Sequence, residues 1–237
     1  MKNLIIIIPT YNEEKNILKL TNQIHKFVPN CKILIIDDTK NSSINKIFKK
    51  NSKIKFIIRK NKKGRGSAVL FGLKKAMRNL NNQIFVEMDA DFSHKPSELK
   101  RNIKFFLKNN CDLLIASRYL QTSKINNWSI QRRIFSKLAN LFARFFLRIK
   151  ISDYTNGFRI YSRRAVKTII KDCGKIGDGF IVLSEILLKI HQSKLKIMEI
   201  NSIFTNRVRG ESSVNLILIL QSFFGLIKLF LIKKTER

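Results

Sequence analysis

Acidic side chains are scarce in this chain: 16 Asp and Glu stand against 47 Lys and Arg, a formal charge of +31 over 237 residues. Such an imbalance demands anionic partners or an anionic surface, and both nucleic acid and acidic lipid qualify. Part of the excess is compositional, because much of it is Lys set among abundant Asn and Ile. Cysteine is equally sparse. Cys31, Cys111 and Cys173 are odd in number, far apart and without CxxC grouping, which argues against a disulfide framework or a zinc site and fits a reducing compartment. Three prolines and nine glycines exclude a low-complexity or linker-dominated chain, and no internal repeat of fixed period is present. Near the start, Leu4 to Ile8 is the only apolar run before Pro9. It is too short for a signal-peptide core, so the chain is expected to stay in the cytoplasm.

What is present is a series of short apolar runs. Leu4 to Ile8, Ile33 to Ile36, Ile54 to Ile58, Ile84 to Val86 and Leu113 to Ala116 are continuous rather than alternating, the mark of strands buried on both faces. Between them lie segments of helical spacing, such as Ile17, Leu20, Ile24 and Phe27 behind Glu13 and Glu14, and a segment opening at Pro96. Strands alternating with helices predict βαβ units and a mainly parallel, Rossmann-like sheet over residues 1–120, with ligands beyond the carboxyl ends of the strands. After Tyr119 the pattern changes. Ile134, Phe135, Leu138, Phe142, Phe145, Phe146 and Ile149 recur at three- and four-residue steps while Lys137, Arg144 and Arg148 take another face, predicting a basic amphipathic helix.

Two carboxylates in Met88-Asp89-Ala90-Asp91 follow the Ile84 to Val86 strand, and extended chain sends residues two apart to the same side. Mg²⁺ and Mn²⁺ take oxygen donors from one or two carboxylates plus substrate phosphates, so Asp-x-Asp suits a metal–diphosphate complex. Read alone, Asp89 merely ends a strand and Asp91 caps a turn. Asp37 and Asp38 end another strand, and Glu13 follows the first. Three acidic clusters at three strand ends converge on one sheet edge.

Ile8-Pro9-Thr10-Tyr11-Asn12-Glu13-Glu14, Ile35-Ile36-Asp37-Asp38, Gly64-Arg65-Gly66, Met88 to Pro96 and Ser117-Arg118-Tyr119 occur in that order. So do Trp128 to Arg133 with Ser136 and Asn140, Asp153 to Arg159 with Tyr161, Gly179-Phe180 leading to Glu185, and Arg207 to Ser213. The ordered set resembles the family 2 inverting glycosyltransferases, specifically their dolichol- or polyprenol-phosphate mannosyltransferase branch. The resemblance implies an α/β GT-A nucleotide-sugar-binding fold. It implies Pro9, Tyr11, Glu13 and Asp38 around the donor base and ribose, with Asp89 also on the donor side. Asp89 and Asp91 then serve a divalent metal, Mg²⁺ or Mn²⁺. Asp91, Arg118, Arg132 and Arg207 form the implied catalytic set, with Arg132, Arg207 and Ser136 toward the acceptor phosphate. GDP-mannose is the favoured donor and polyprenol phosphate the acceptor, whose oxygen attacks the anomeric carbon with inversion. That nucleophile is already ionised near neutral pH, so no strong base is required. His94, beside the Asp pair, is expected in a loop or helix-start role. Three departures stand out: Thr39-Lys40-Asn41 where a Gly-Ser turn is usual, Ser93 where many relatives have Gln, and Asn156 where Gly or Ser is frequent.

The organisation expected is a catalytic domain over 1–213, with a nucleotide-sugar-binding half (1–120) and an acceptor half (121–213), followed by a hydrophobic, basic tail over 214–237. Val214 to Ile232 is nearly all apolar but of borderline spanning length. Spanning would strand Lys233, Lys234 and Arg237 on the far side, against the positive-inside tendency, so a membrane-associating helix lying in the interface is expected at the cytoplasmic face. A membrane-protein partner is compatible with this arrangement. Competing readings are a different donor, UDP-glucose or a UDP-aminosugar, with polyprenol phosphate or a glycan as acceptor; a catalytically idle scaffold; and a nucleic-acid-binding protein. Against the last, the charge is spread along the chain and no nucleic-acid-recognition signature appears.

Overall fold

The computed structural model describes residues 3–48, 52–60, 64–206 and 224–231. β1 (Leu4–Thr10), α1 (Glu14–Phe27), β2 (Lys32–Asp37), the single turn α2 (Ile44–Ile47), β3 (Ile54–Ile58), α3 (Arg65–Met77) and β4 (Ile84–Glu87) form the first part. A 3₁₀ turn at Pro96–Glu98 leads into α4 (Leu99–Lys108), then β5 (Leu113–Ser117), β6 (Lys124–Asn126) and α5 (Ile130–Leu147). β7 (Arg159–Ser162), α6 (Arg163–Asp172), α7 (Ile181–Gln192), β8 (Ile197–Asn201) and β9 (Ile203–Thr205) follow. A further helix occupies 224–231.

A seven-stranded sheet in the order β3-β2-β1-β4-β7-β5-β8 divides the core into two layers. β1 shows why the apolar runs are continuous. Ile5 and Ile7 enter the cluster beneath α3, α6 and α7, while Leu4, Ile6 and Ile8 enter the one beneath α1 and α4. Both faces are covered, so alternation has no polar side to alternate with. In α1, Ile17, Leu20 and Ile24 are buried as the spacing predicts, but Phe27 lies at the rim and Val28 takes the inner position.

The sheet is parallel except at β7, which runs antiparallel to both β4 and β5. β7 and β8 belong to the 121–213 segment, yet they sit in the sheet begun by the first half, so the two segments share one core. Arg159 opens β7 and is fully buried, its guanidinium donating to the carbonyls of Tyr154 (2.7 Å), Asn156 (2.8 Å) and Leu183 (2.8 Å). Three acceptors make burial of that charge tolerable and fix the chain entering the strand.

α5 forms where the spacing predicts, capped by Ser129, whose hydroxyl accepts from the Arg132 amide at 3.3 Å. Its orientation is the informative part. Asn140, Ala143 and Leu147 face the body, whereas Ile130, Ile134, Phe135, Leu138, Leu141, Phe142 and Phe145 are exposed. In the tail, the described 224–231 helix buries Leu226 and Leu229 in the core cluster that includes Ile181, and Phe230 meets Phe146 edge-on at 5.7 Å. That stretch covers the domain with one side and leaves Phe224 and Leu231 exposed. The remainder of the expected tail, 214–223 and 232–237, lies outside the described residues.

Candidate active site

Because β1, β2 and β4 are parallel and in register, Thr10 and Asp37 pair directly and Asp89 leaves the sheet at the same edge. Asp37 organises the loops there. Its carboxylate accepts from the Thr10 hydroxyl (3.0 Å), the Thr39 amide (3.1 Å) and the Thr39 hydroxyl (2.7 Å), and also from the Ser42 hydroxyl. The Asn12 amide then donates to Thr39 Oγ1 at 2.8 Å, tying the first loop to the second. Thr39, a departure in the sequence, is thus the bolt between them. Asp38 is buried and paired in fork geometry with Arg59, through Nε at 2.6 Å and Nη2 at 2.5 Å. Arg59 also donates to Ser67 Oγ (3.1 Å) and the Gly64 carbonyl (3.3 Å). Glu13 precedes α1, its carboxylate accepting from the Asn16 side chain through Nδ2 at 2.6 Å, while Tyr11 beside it is half exposed. Pro9 lies within β1, paired with Ile36.

Asp89 is 26% exposed at its side chain, and Asp91 is buried, its Oδ1 accepting from the Ser93 amide at 3.0 Å. Directly after Asp91 the chain turns through Phe92 at φ 63°, a left-handed conformation unusual for an aromatic residue. His94 holds the turn. Its Nδ1 accepts from the Asp89 amide (3.0 Å), which places the proton on Nε2, and Nε2 donates to Asn156 Oδ1 (3.0 Å). The ring stacks on Phe158 at 5.1 Å and meets Phe204 edge-on at 5.6 Å. Asn156, the third departure, is thereby the partner that orients the imidazole; it also donates to the Ala116 carbonyl.

Among the described residues no three His, Cys, Asp or Glu side chains gather into a ready metal cage. The donor chemistry nevertheless fits a hard divalent cation bound with a diphosphate: two carboxylates two residues apart, with phosphate oxygens to complete the shell. The hydroxyl of Ser93, buried and without a hydrogen-bond partner, adds an unsatisfied polar oxygen to the same turn.

Across from the acidic turn stands a cationic, aromatic wall. Arg118 is buried, pairing with Asp153 through Nε (2.8 Å) and Nη2 (2.7 Å), with Nη2 also on Thr155 Oγ1 (2.7 Å). Burial disfavours both charges, but each outweighs that for the other: the Arg118 pKa is raised and that of Asp153 lowered. The rings of Tyr119, Trp128 and Phe204 surround the Arg118 guanidinium at 5.4–5.5 Å. Arg132 lies over Trp128 at 4.5 Å and donates to Asn206 Oδ1 at 2.7 Å. Ser136 accepts from the Tyr119 hydroxyl at 2.7 Å, linking α5 to this wall. Trp128 Nε1 and Thr205 Oγ1, like Ser93 Oγ, are buried without a partner. Arg207, and the Arg207 to Ser213 motif, lie outside the described residues.

Contacts run continuously from Asp89 through His94 and Phe204 to Arg118 and Trp128, so the acidic turn and the cationic wall are one connected unit. Sequence reasoning did not find Arg59, Arg65 or Asp153 as ion-pair partners. The signal for Arg65 was its place between two glycines: Gly64 adopts φ 130°, and a Cβ on Gly66 would fall 2.3 Å from the Gly179 carbonyl.

Residues 5–170 match Glycosyl transferase family 2. The chain is 30% identical over 217 residues to a polyprenol monophosphomannose synthase of Mycolicibacterium smegmatis, covering 89% of this chain and 80% of that protein. It is 35% identical over 216 residues to a dolichol-phosphate mannosyltransferase of Pyrococcus furiosus, covering 88% of this chain and 58% of the archaeal protein. In structure it resembles glucosyl-3-phosphoglycerate synthase of Mycobacterium tuberculosis in complex with UDP, with TM-score 0.68 and 16% identity over 97% of this chain and 80% of that one. The complex of that synthase with Mn²⁺, UDP and product superposes with TM-score 0.67 at 17% identity, over the same shares of the two chains. A GT-A α/β fold, the ordered motifs and a match spanning most of the sheet agree: this chain is a glycosyltransferase and belongs to glycosyl transferase family 2.

Proposed function

We propose that the protein transfers mannose from GDP-mannose to polyprenol phosphate, with inversion, at a membrane surface. The observation that carries this is the continuous chain of contacts joining the Asp89–Asp91 turn to the Arg118–Trp128–Arg132 wall. One side has the chemistry for a donor diphosphate, the other for an acceptor phosphate. The names of the mannosyl-transferring relatives supply the sugar and the lipid. Tyr11, Glu13 and Asp38 stand beside the donor base and ribose, with Asp38 oriented by Arg59. A Mg²⁺ or Mn²⁺ held by Asp89 and Asp91 would offset the charge on the departing diphosphate. Arg118 and Arg132 lower the repulsion between two phosphate-bearing substrates, and Ser136 stands beside them on the acceptor side. Since the acceptor oxygen is already anionic, the chain's task is positioning and charge stabilisation. His94, bonded through both ring nitrogens, serves as scaffold.

Among the described residues no helix is long and apolar enough to cross a membrane. Peripheral binding follows instead from α5, whose exposed apolar side chains lie beside Arg133, Lys137 and Arg144, an arrangement suited to an anionic headgroup boundary.

The deciding experiment is transfer of radiolabel from GDP-mannose to organic-extractable polyprenol phosphate with Mg²⁺ or Mn²⁺ and an EDTA control. Metal-dependent labelled lipid is expected. Label only from UDP-glucose or UDP-N-acetylglucosamine would replace the donor, and none from any donor would overturn the proposal. For the surface, the double variant Phe135→Ser/Phe145→Ser is expected to weaken sedimentation with anionic vesicles roughly tenfold or more, each immersed aromatic contributing about 1 kcal/mol or more. Wild-type binding by that variant would remove α5 as the contact.

A further inference from the structure

Behind Asp89 lies a buried relay of residues to which the resemblance assigns no site role. Arg65, the first residue of α3, donates to Asp89 Oδ1 through Nε at 2.8 Å, with Nη2 at 2.7 Å from the same oxygen. Its Nη1 donates to Glu87 Oε1 at 2.6 Å, and the other oxygen of Glu87 accepts from the Tyr161 hydroxyl at 2.6 Å. Glu87 is fully buried at the end of β4, so it requires Arg65 as its counter-charge and anchors it in turn. Gly157 supplies the room, since a Cβ there would fall 1.8 Å from Arg65 Nη2, and its carbonyl accepts from that nitrogen at 3.4 Å.

We propose that Arg65, held by Glu87 and Tyr161, is the positioning residue that fixes the Asp89 carboxylate for a divalent cation and sets how tightly the cation binds. The inference rests on the proposed metal–diphosphate role of Asp89. Three features support it. The guanidinium meets Asp89 at Oδ1 through both Nε and Nη2, and Oδ2 faces His94 Nε2 at 3.8 Å. The cluster of Arg65, Glu87 and Asp89 carries one net negative charge, so loss of the Glu87 charge turns Arg65 from a balanced neighbour into a competitor for the cation. The far end is rigid: burial, and then the Glu87 charge, push the Tyr161 phenol well above its ordinary pKa, so the phenol stays protonated and donates.

The test is Mn²⁺ titration of the full chain in the presence of GDP, followed by calorimetry or by the loss of the free-ion paramagnetic signal, on wild type, Arg65→Lys, Glu87→Gln and Tyr161→Phe. Arg65→Lys keeps the charge but loses the fork, and Glu87→Gln removes the balancing charge; each is expected to weaken Mn²⁺ binding by about tenfold or more. Tyr161→Phe, which alters no charge, is expected to weaken it by a smaller factor and decides the matter if the other two fail to fold. Wild-type Mn²⁺ affinity in every folded variant, even with a lowered melting temperature, would reduce the relay to a structural role and overturn the inference. Absence of Mn²⁺ binding by the wild type would instead overturn the metal reading of Asp89 and Asp91, and this inference with it.

Discussion

Asp91→Asn is expected to lower transfer by roughly 10²–10³-fold, the size of effect seen when one preorganised electrostatic element is removed from an active site. The substitution keeps the size of the side chain and one oxygen for the Ser93 amide, which now bonds Oδ1 at 3.0 Å, so the turn can survive. What disappears is the charge. Asp89→Asn is expected to match or exceed the loss, because it also removes the charge that pairs with Arg65. Initial rates with donor and polyprenol phosphate, on protein shown to be folded by circular dichroism, measure the effect. Wild-type turnover in Asp91→Asn would take the Asp-x-Asp pair out of the chemistry.

The second large effect is on stability. Asp153→Ala leaves the buried Arg118 guanidinium without its carboxylate, and breaking a buried pair from one side costs about 3–5 kcal/mol. For a chain of this length that corresponds to a fall in Tm of roughly 6–20 °C, read by calorimetry. A shift within about 1 °C would mean that water or another group satisfies Arg118 as well as Asp153 does. Acid should narrow the difference. Burial works to raise the Asp153 pKa, but Arg118 outweighs it and holds it below the ordinary carboxylate range. A depressed folded-state value means that the pairing stabilises the fold above the ordinary carboxylate range and is lost as pH falls through the folded value. Wild type and variant are therefore expected to converge in strong acid and to differ most from about pH 5 upward.

The strands most visible in the sequence were the continuous apolar runs, though β3, at the sheet edge, leaves Lys55 and Ile58 exposed and is not buried on both faces. β1 to β5 are found over or within one or two residues of the continuous apolar runs. β7 escaped because Arg159 at its start and Tyr161 bonded to Glu87 make it read as polar, and because the Leu183 carbonyl and the Glu87 carboxylate that help satisfy them come from distant positions. The Asp-x-Asp turn was legible because both carboxylates lie within one short segment. The pairs Arg59–Asp38, Arg65–Asp89 and Arg118–Asp153 were not, since spacing along a chain carries no record of which charges the fold brings together. For α5 the periodicity showed a stripe but not its direction. Asn140 settled it, donating to the Ser136 carbonyl at 2.8 Å and accepting from the Tyr154 amide at 2.7 Å, so that the face it shares with Ala143 and Leu147 meets the body and the large apolar stripe is turned out with the basic residues.

The reversed strand β7 has a consequence for how the enzyme can change. Ile115 pairs with Arg159, and the Ala116 amide donates to the Phe158 carbonyl at 2.9 Å, so the segment between Ser117 and Phe158 departs and returns through adjacent doorways. That segment holds Arg118, Trp128, Arg132, Ser136 and all of α5. A loop with its two ends already clamped side by side can lengthen at small entropic cost and vary in content without shifting the frame around it. On the proposed reading the segment that carries these side chains can vary in content while β1, β2 and β4 stay untouched, its further strand pairing with the fold being that of β6 with β9.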